Sequence, residues 1–267
     1  MAAATRTLVP MDDAARIVTG AEYVRAITAR ASDRRYRRAF QSLALRLTAS
    51  GEALFDFGSG PGIDARLYAE QGRSVSAYDI DPHMSEYLTS HCRDFIMSGT
   101  VRLQQGSYRE FLASAAPPAA WRAELITANF APLNLIDDLN ELFAKFAALT
   151  TPTGAVLASV LSPYFAGDLR YPWWWRNAAG LLRRGRYAVP GAQALIWRRR
   201  LADYARECAP SFHLEKVFAG TDSRPCTRPV WLQLTTCRFM FLLFSKPGRT
   251  RDSSAPQDGQ SRATRPS

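Results

Sequence analysis

The chain of 267 residues has little of what metal or disulfide chemistry needs: three histidines and four cysteines. Cys92, Cys208, Cys226 and Cys237 are scattered, with no C-x-x-C pair and no histidine at ligand spacing, so no structural zinc and no disulfide framework is expected. A reduced, cytoplasmic setting fits that usage. Long apolar runs are also missing. The longest, Phe239 to Phe244, is far too short to span a bilayer, and the opening MAAATRTLVPMDD has no apolar core of a signal peptide. Lysine occurs only at positions 145, 216 and 246, so arginine carries nearly all the cationic charge behind the net +10. Acidic residues are absent from Leu169 to Ala202. No internal repeat is visible.

Against these absences, the 47% apolar content is that of an ordinary globular protein with a sizeable core. The informative stretch runs from Leu54 to Met84. Ala53-Leu54-Phe55 reads as a buried strand ending at Asp56, and Gly58, Gly60 and Gly62 follow at alternate positions. A helical pattern from Ile63 to about Gln71 closes at Gly72, and a second strand, Val75 to Tyr78, ends on Asp79. Strand, glycine turn, helix and strand begin a parallel sheet. Glycines admit positive φ and close backbone approach, the helix start offers unpaired N–H groups, and an acidic residue ending the neighbouring strand can accept from a ribose diol. A ribose-bearing ligand is expected across this crevice.

The spacing is G-x-G-x-G, and Ile63 stands where a dinucleotide fingerprint has its third glycine. A short-chain oxidoreductase would also show a Tyr-x-x-x-Lys pair, which is absent. Asp56, Gly58, Gly60 and Gly62 instead match D/E-x-G-x-G-x-G, and the segment resembles motif I of the class I S-adenosylmethionine-dependent methyltransferases. The Asp-Pro-x-Met of Asp81, Pro82 and Met84 looks like the usual continuation. The resemblance implies S-adenosylmethionine as cofactor, held by Asp56, Gly58, Ser59, Gly60, Gly62, Asp79, Ile80, Ser107, Tyr108 and Asn129. Asp79 would take the ribose, and Ile80 would pack on the adenine. Ser107 departs from the acidic residue that many relatives carry there. The sequence after the fourth strand, Asn129-Phe130-Ala131-Pro132, lacks both the tetrad of DNA amino-methyltransferases and the Pro-Cys of cytosine C5 enzymes. No residue declares itself as a catalytic base.

The expected fold is α/β: a doubly wound, mostly parallel seven-stranded sheet with the last strand antiparallel. N-terminal helices over 1–52 (from Asp12 to about Arg30 and from Ser32 to Thr48) cover the pocket of a core at 53–162. A cap over 163–210 follows strand five, C-terminal strands fill 211–246, and the tail from 247 to 267 is expected to be disordered. Further helices are expected over Ser85–Ile96, Leu139–Thr150 and Leu201–Cys208, and strands over Val101–Gln105, Leu125–Ala128, Ala155–Leu161, Phe212–Phe218 and Cys237–Ser245.

The cap is the most distinctive part. From Pro163 to about Arg200 it contains Trp173, Trp174 and Trp175 and eight arginines, at 170, 176, 183, 184, 186, 198, 199 and 200. As a lid, its aromatic residues would line an apolar pocket and its arginines would hold an anionic group. As an interfacial element, the 170–200 segment would meet anionic headgroups as a peripheral membrane contact. As a nucleic-acid surface it would bind phosphate and stack bases, but no RNA-binding module is visible. The lid is the preferred reading, with Asn134, Tyr164, Tyr171, Trp174 and Trp175 as candidate acceptor contacts. The implied activity is methyl transfer to a small, apolar or anionic acceptor, lipid-like or a secondary metabolite. The alternatives are an RNA methyltransferase and a non-catalytic, membrane-associated scaffold that binds the cofactor. The run Arg34, Arg35, Arg37 and Arg38 reads first as a solvated helix face.

Overall fold

A computed structural model of the protein describes residues 21, 24–25, 29–190, 195–221, 224–227 and 230–248. Its centre is β1 (Ala53–Phe57), paired in parallel with β2 (Ser74–Tyr78) on one side. β3 (Val101–Gln104) extends the β2 side; β4 (Ala123–Ala128) and then β5 (Thr150–Leu161) extend the other. Strands covered on both faces read as near-continuous apolar runs, and four of the five β1 residues are buried. Alternate residues serve opposite faces. Leu54, Val75, Leu125 and Leu157 pack under α1 (Ala31–Arg46), α2 (Ile63–Glu70) and α3 (Pro82–His91). Phe55, Ile126 and Val156 pack on the other face, against residues carried by helices that follow α4 (Arg93–Met97): α5 (Tyr108–Ala113) and α6 (Leu139–Leu149).

Local chemistry sets several of these boundaries. Pro82 occupies the first turn of α3, and the Asp81 carboxylate accepts from His83 N at 2.9 Å, so this helix begins three residues earlier than expected. The single helix expected over Ser85–Ile96 divides at Cys92, whose buried thiol lies 3.6 Å from the Gly62 carbonyl. Asp138 caps α6 by accepting from Asn140 N at 2.9 Å. β5 starts at Thr150, five residues before the expected strand, because Ala123 already pairs with Thr150 ahead of a register shift.

After β5 the chain leaves the sheet. It forms α7 (Pro172–Arg184), an antiparallel hairpin of β6 (Arg186–Pro190) and β7 (Leu195–Arg199), and α8 (Leu201–Glu207). Gly185 turns α7 into β6 with φ +75°, and an added Cβ would lie 1.9 Å from Asp203 Oδ2, so only glycine fits that corner. The hairpin was not expected, and it takes two cap arginines inside. Arg199 is wholly buried, donating to Glu207 at 3.0 Å and to the carbonyls of Ile136 and Asp137 at 2.6 Å. Arg198 donates to the Ser162 carbonyl at 2.7 Å and lies 3.5 Å from Asp168. Arg186 pairs with Asp137 and Arg200 with Asp203, each at 3.1 Å. Arg186, Arg198, Arg199 and Arg200 therefore fasten the cap to the core or to itself, and are not free to hold an anionic group of an acceptor as the lid reading expected.

The chain then returns through β8 (His213–Ala219) and α9 (Val230–Leu234) to β9 (Phe239–Ser245). β9 runs antiparallel between β5 and β8, completing a seven-stranded sheet of order β3-β2-β1-β4-β5-β9-β8. This is the architecture expected from the sequence. The helix expected from Asp12 to about Arg30 lies outside the described residues except at 21, 24–25 and 29–30, and the tail does so except at 247–248.

Candidate active site

Parallel strands expose unpaired backbone at their carboxyl ends, and the ends of β1, β2 and β4 converge here. Leaving β1, the chain folds back over β2: Gly58 N and Ser59 N both donate to the Tyr78 carbonyl, at 2.8 and 3.0 Å. Gly60 N then donates to Asp79 Oδ2 at 2.7 Å, while Asp79 Oδ1 accepts from Asp81 N at 2.9 Å. Asp79 is thus fixed at the end of β2 under the glycine turn. Burial pushes its carboxyl above the ordinary value, against the opposing effect of those N–H groups. Ile80 beside it is 61% exposed.

The glycines differ in what surrounds them. Gly62, at φ +79°, caps α2, and a Cβ there would fall 2.6 Å from Leu88 Cγ. Gly60, at φ +53°, would carry a Cβ with nothing within 4 Å. One glycine is required by packing; the other faces an open crevice.

Beneath the turn lies a buried polar network that sequence reading recovered only in part. Asp56 accepts from the Thr127 hydroxyl at 2.8 Å through Oδ1, while its Oδ2 and the Ser59 hydroxyl are buried with no hydrogen-bond partner. Burial, then the charge of Asp64, pushes Asp56 up to about 7, against the Thr127 hydrogen bond and Arg37. Asp64 accepts from Gln41 at 2.6 Å and from Asn129 at 2.9 Å, and pairs with Arg37 at 2.8 Å. Arg37 also lies over the Phe130 ring, 4.5 Å from its centroid. Arg37 therefore serves the site rather than a solvated face. Thr127 carried a visible signal, as the one polar residue in Leu125–Ala128; Gln41 and Asp64 carried none.

At the end of β4, Phe130 and Ala131 adopt φ of 59° and 68°. Two successive non-glycine residues in that region cost on the order of 1–3 kcal/mol each and persist only where the surroundings hold them. Here Asn129 Oδ1 accepts from Phe130 N at 2.9 Å and Ala131 N donates to the Ser159 carbonyl at 3.0 Å. Asn134 is fully buried; it donates to the Trp197 carbonyl at 2.5 Å and accepts from Leu161 N at 3.0 Å, joining this turn to β5 and β7.

Asp56, Gly58, Ser59, Gly60, Gly62, Asp79, Ile80 and Asn129 thus come together. Ser107 and Tyr108 follow at the end of β3. Ser107 forms a capping box with Glu110, and the half-buried Tyr108 ring stacks on Phe111 at 6.4 Å. Among the acceptor candidates, Tyr164 packs against the core and accepts from Leu201 N at 3.5 Å. Tyr171 stacks on Trp173 at 6.2 Å, and Trp174 meets Trp175 edge-on at 5.0 Å, with Trp175 turned outward on α7. Among the described residues no cluster of histidine, cysteine, aspartate and glutamate could hold a metal ion.

A crevice that a Cβ at Gly60 would enter, a carboxylate at the end of β2, an exposed isoleucine and orphaned oxygens on Asp56 and Ser59 fit the adenosyl and amino-acid parts of S-adenosylmethionine. Sheet order and site together define a class I, Rossmann-like methyltransferase that uses this cofactor. The family profile described as Methyltransferase domain matches residues 28–206, and the chain belongs to that family. No curated protein matches the chain.

Solved structures repeat the fold at low identity. A methyltransferase of Mesorhizobium loti aligns with a TM-score of 0.56 at 17% identity, covering 79% of this chain and 98% of that one. The 1,6-didemethyltoxoflavin-N1-methyltransferase of Burkholderia thailandensis, with its substrate and S-adenosylhomocysteine bound, gives 0.54 at 18%, covering 85% and 86%. The geranyl diphosphate C-methyltransferase of Streptomyces coelicolor gives 0.53 at 13%, covering 79% of each chain.

Proposed function

We propose that the protein methylates a small, apolar or anionic acceptor of lipid-like or secondary-metabolite type. The observation that carries the methyl-transfer part of this reading is the paired geometry of Gly60 and Asp79: an open left-handed glycine hydrogen-bonded to the carboxylate that ends β2. When bound, S-adenosylmethionine supplies a methyl group already activated on a sulfonium. Asp79 accepts from the ribose, Gly60 admits the cofactor close to backbone, and Ile80 covers the adenine. Asp56, Ser59 and Asn129 lie on the amino-acid side, braced by Asp64 and Arg37. The strained Phe130–Ala131 turn borders the place where an acceptor approaches.

With the methyl group already activated, this chain contributes mainly alignment and exclusion of water. An unprotonated amine or a stabilised carbanion needs no base at the site, whereas a hydroxyl acceptor brings a requirement for one. The small-acceptor reading draws support from the cap inserted after β5 and from the substrates named for the two neighbours above, 1,6-didemethyltoxoflavin and geranyl diphosphate.

The test is transfer of labelled methyl from S-adenosylmethionine to aqueous and organic extracts and to total RNA. Label in a small molecule, at a rate indifferent to salt between 50 and 200 mM, supports the reading. Label in RNA, with turnover falling steeply over that range, overturns the small acceptor.

A further inference from the structure

The outer face of α7 has no partner within the described chain. Its inner stripe, Trp173, Asn177 and Leu181, packs toward Tyr187 and Val189 of β6 or bonds within the helix. The opposite stripe is Trp175, Ala179 and Leu182, at the i, i+4, i+7 spacing of one helix face. All three are exposed, Trp175 by 62% and Leu182 by 76%. Trp175 is held in this outward position by a 2.8 Å hydrogen bond from its indole to the Leu169 carbonyl, and Leu169 is itself 40% exposed. Arg176 and Arg183 form an exposed stripe along one flank, and Arg184 follows at the end of the helix. Arg186, Arg198, Arg199 and Arg200 are paired elsewhere, and no acidic residue lies between positions 169 and 202 to neutralise Arg176 and Arg183.

We infer that α7 docks the protein on an anionic lipid surface, with Trp175, Leu182 and Leu169 entering the headgroup boundary and Arg176 and Arg183 meeting the lipid phosphates. A short helix with an apolar stripe, a tryptophan and flanking arginines has the composition of an element lying in the interface plane. A stable protein partner is a poorer fit, since such interfaces bury about 800 Å² on each side and this stripe offers three side chains and a flanking leucine. A water-exposed tryptophan beside cations also suits the headgroup region, where an amphipathic ring has both an apolar body and a polar tip to satisfy. The inference does not depend on methyl transfer. It brings the cap, which Asn134 and Arg199 tie to the end of β4, toward the surface from which a lipid-soluble acceptor would be drawn.

The experiment is co-sedimentation of the full chain with vesicles of phosphatidylcholine alone and of phosphatidylcholine with 30% phosphatidylglycerol, with S-adenosylmethionine titration of each variant in parallel. The expected result is binding to the anionic vesicles only, weakened by salt. Arg176→Gln with Arg183→Gln should lower the partition coefficient roughly 30-fold, and Trp175→Ser with Leu182→Ser at least tenfold. Cofactor affinity should be unchanged in both, which also reports that they fold. Absence of vesicle binding by the wild type overturns the inference, as does binding that neither variant weakens. RNA binding, or a dimer that the Trp175 and Leu182 changes dissociate, in place of vesicle binding would assign the face to another partner. Loss of cofactor binding in the wild type would count against the methyltransferase reading and leave the vesicle result to stand alone.

Discussion

Gly60 and Gly62 both have left-handed φ and opposite surroundings, so alanine at each separates ligand space from packing. At either position the left-handed φ costs a Cβ-bearing residue about 1–2 kcal/mol. At Gly62 the new methyl falls 2.6 Å from Leu88 Cγ and 3.1 Å from Cδ1. Leu88 has no exposed surface through which to retreat, so overpacking adds about 1–3 kcal/mol. Gly62→Ala should therefore lose roughly 2–5 kcal/mol in urea unfolding. Gly60→Ala has no such neighbour and should lose only about 1–2 kcal/mol. Its methyl instead occupies the crevice, so S-adenosylmethionine affinity should fall at least tenfold, which is about 1.4 kcal/mol. The assays are urea denaturation and calorimetric titration on the same preparations. A Gly60→Ala protein that binds the cofactor like the wild type would refute the placement of the ligand against this turn. A Gly62→Ala protein no less stable than Gly60→Ala would refute the packing argument.

Two further outcomes follow from buried charge. Asp56 is raised from an ordinary 3.8 to about 7, so between those values the folded state holds a proton that the unfolded state has released. Its contribution to stability is therefore fully present below about pH 4 and is lost by about pH 7, a decline on the order of 4 kcal/mol. Asp56→Asn should flatten that part of the stability–pH profile, and an unchanged slope would show that Asp56 is not the titrating group. Arg199→Met should cost about 3–5 kcal/mol in thermal unfolding, because Glu207 loses its buried cation and keeps only the exposed Arg206, 3.7 Å away. Arg199→Met with Glu207→Leu should recover most of that loss; a single variant within 1 kcal/mol of the wild type would contradict the buried pair.

The parts legible in the sequence were those whose causes are local. The apolar run of β1, three glycines at alternate positions and Asp79 at the end of β2 lie within thirty residues and are held by backbone contacts among themselves. The sheet, including the antiparallel β9, followed from the same resemblance. Features that depend on distant partners were not legible. Arg198 and Arg199 were expected to hold an anionic group of the acceptor, because Ser162, Asp168, Ile136 and Glu207 meet them only in the folded chain. The split of the helix at Cys92 depends on packing beneath the Gly62 carbonyl. The left-handed pair Phe130–Ala131 has no composition signal, since neither residue favours that conformation and the turn is held from β5. Asn134, expected at an acceptor, has its amide committed to β5 and β7.

The crevice over Gly60 and Asp79 should hold S-adenosylmethionine. Calorimetric titration of the purified protein with S-adenosylmethionine and, separately, with NAD tests it most directly, with Asp79→Ala as the control. The expected result is saturable binding of S-adenosylmethionine, none of NAD, and loss of the former in Asp79→Ala. A wild type that takes up no S-adenosylmethionine, or an Asp79→Ala protein that binds it undiminished, would rule out this crevice as the cofactor site.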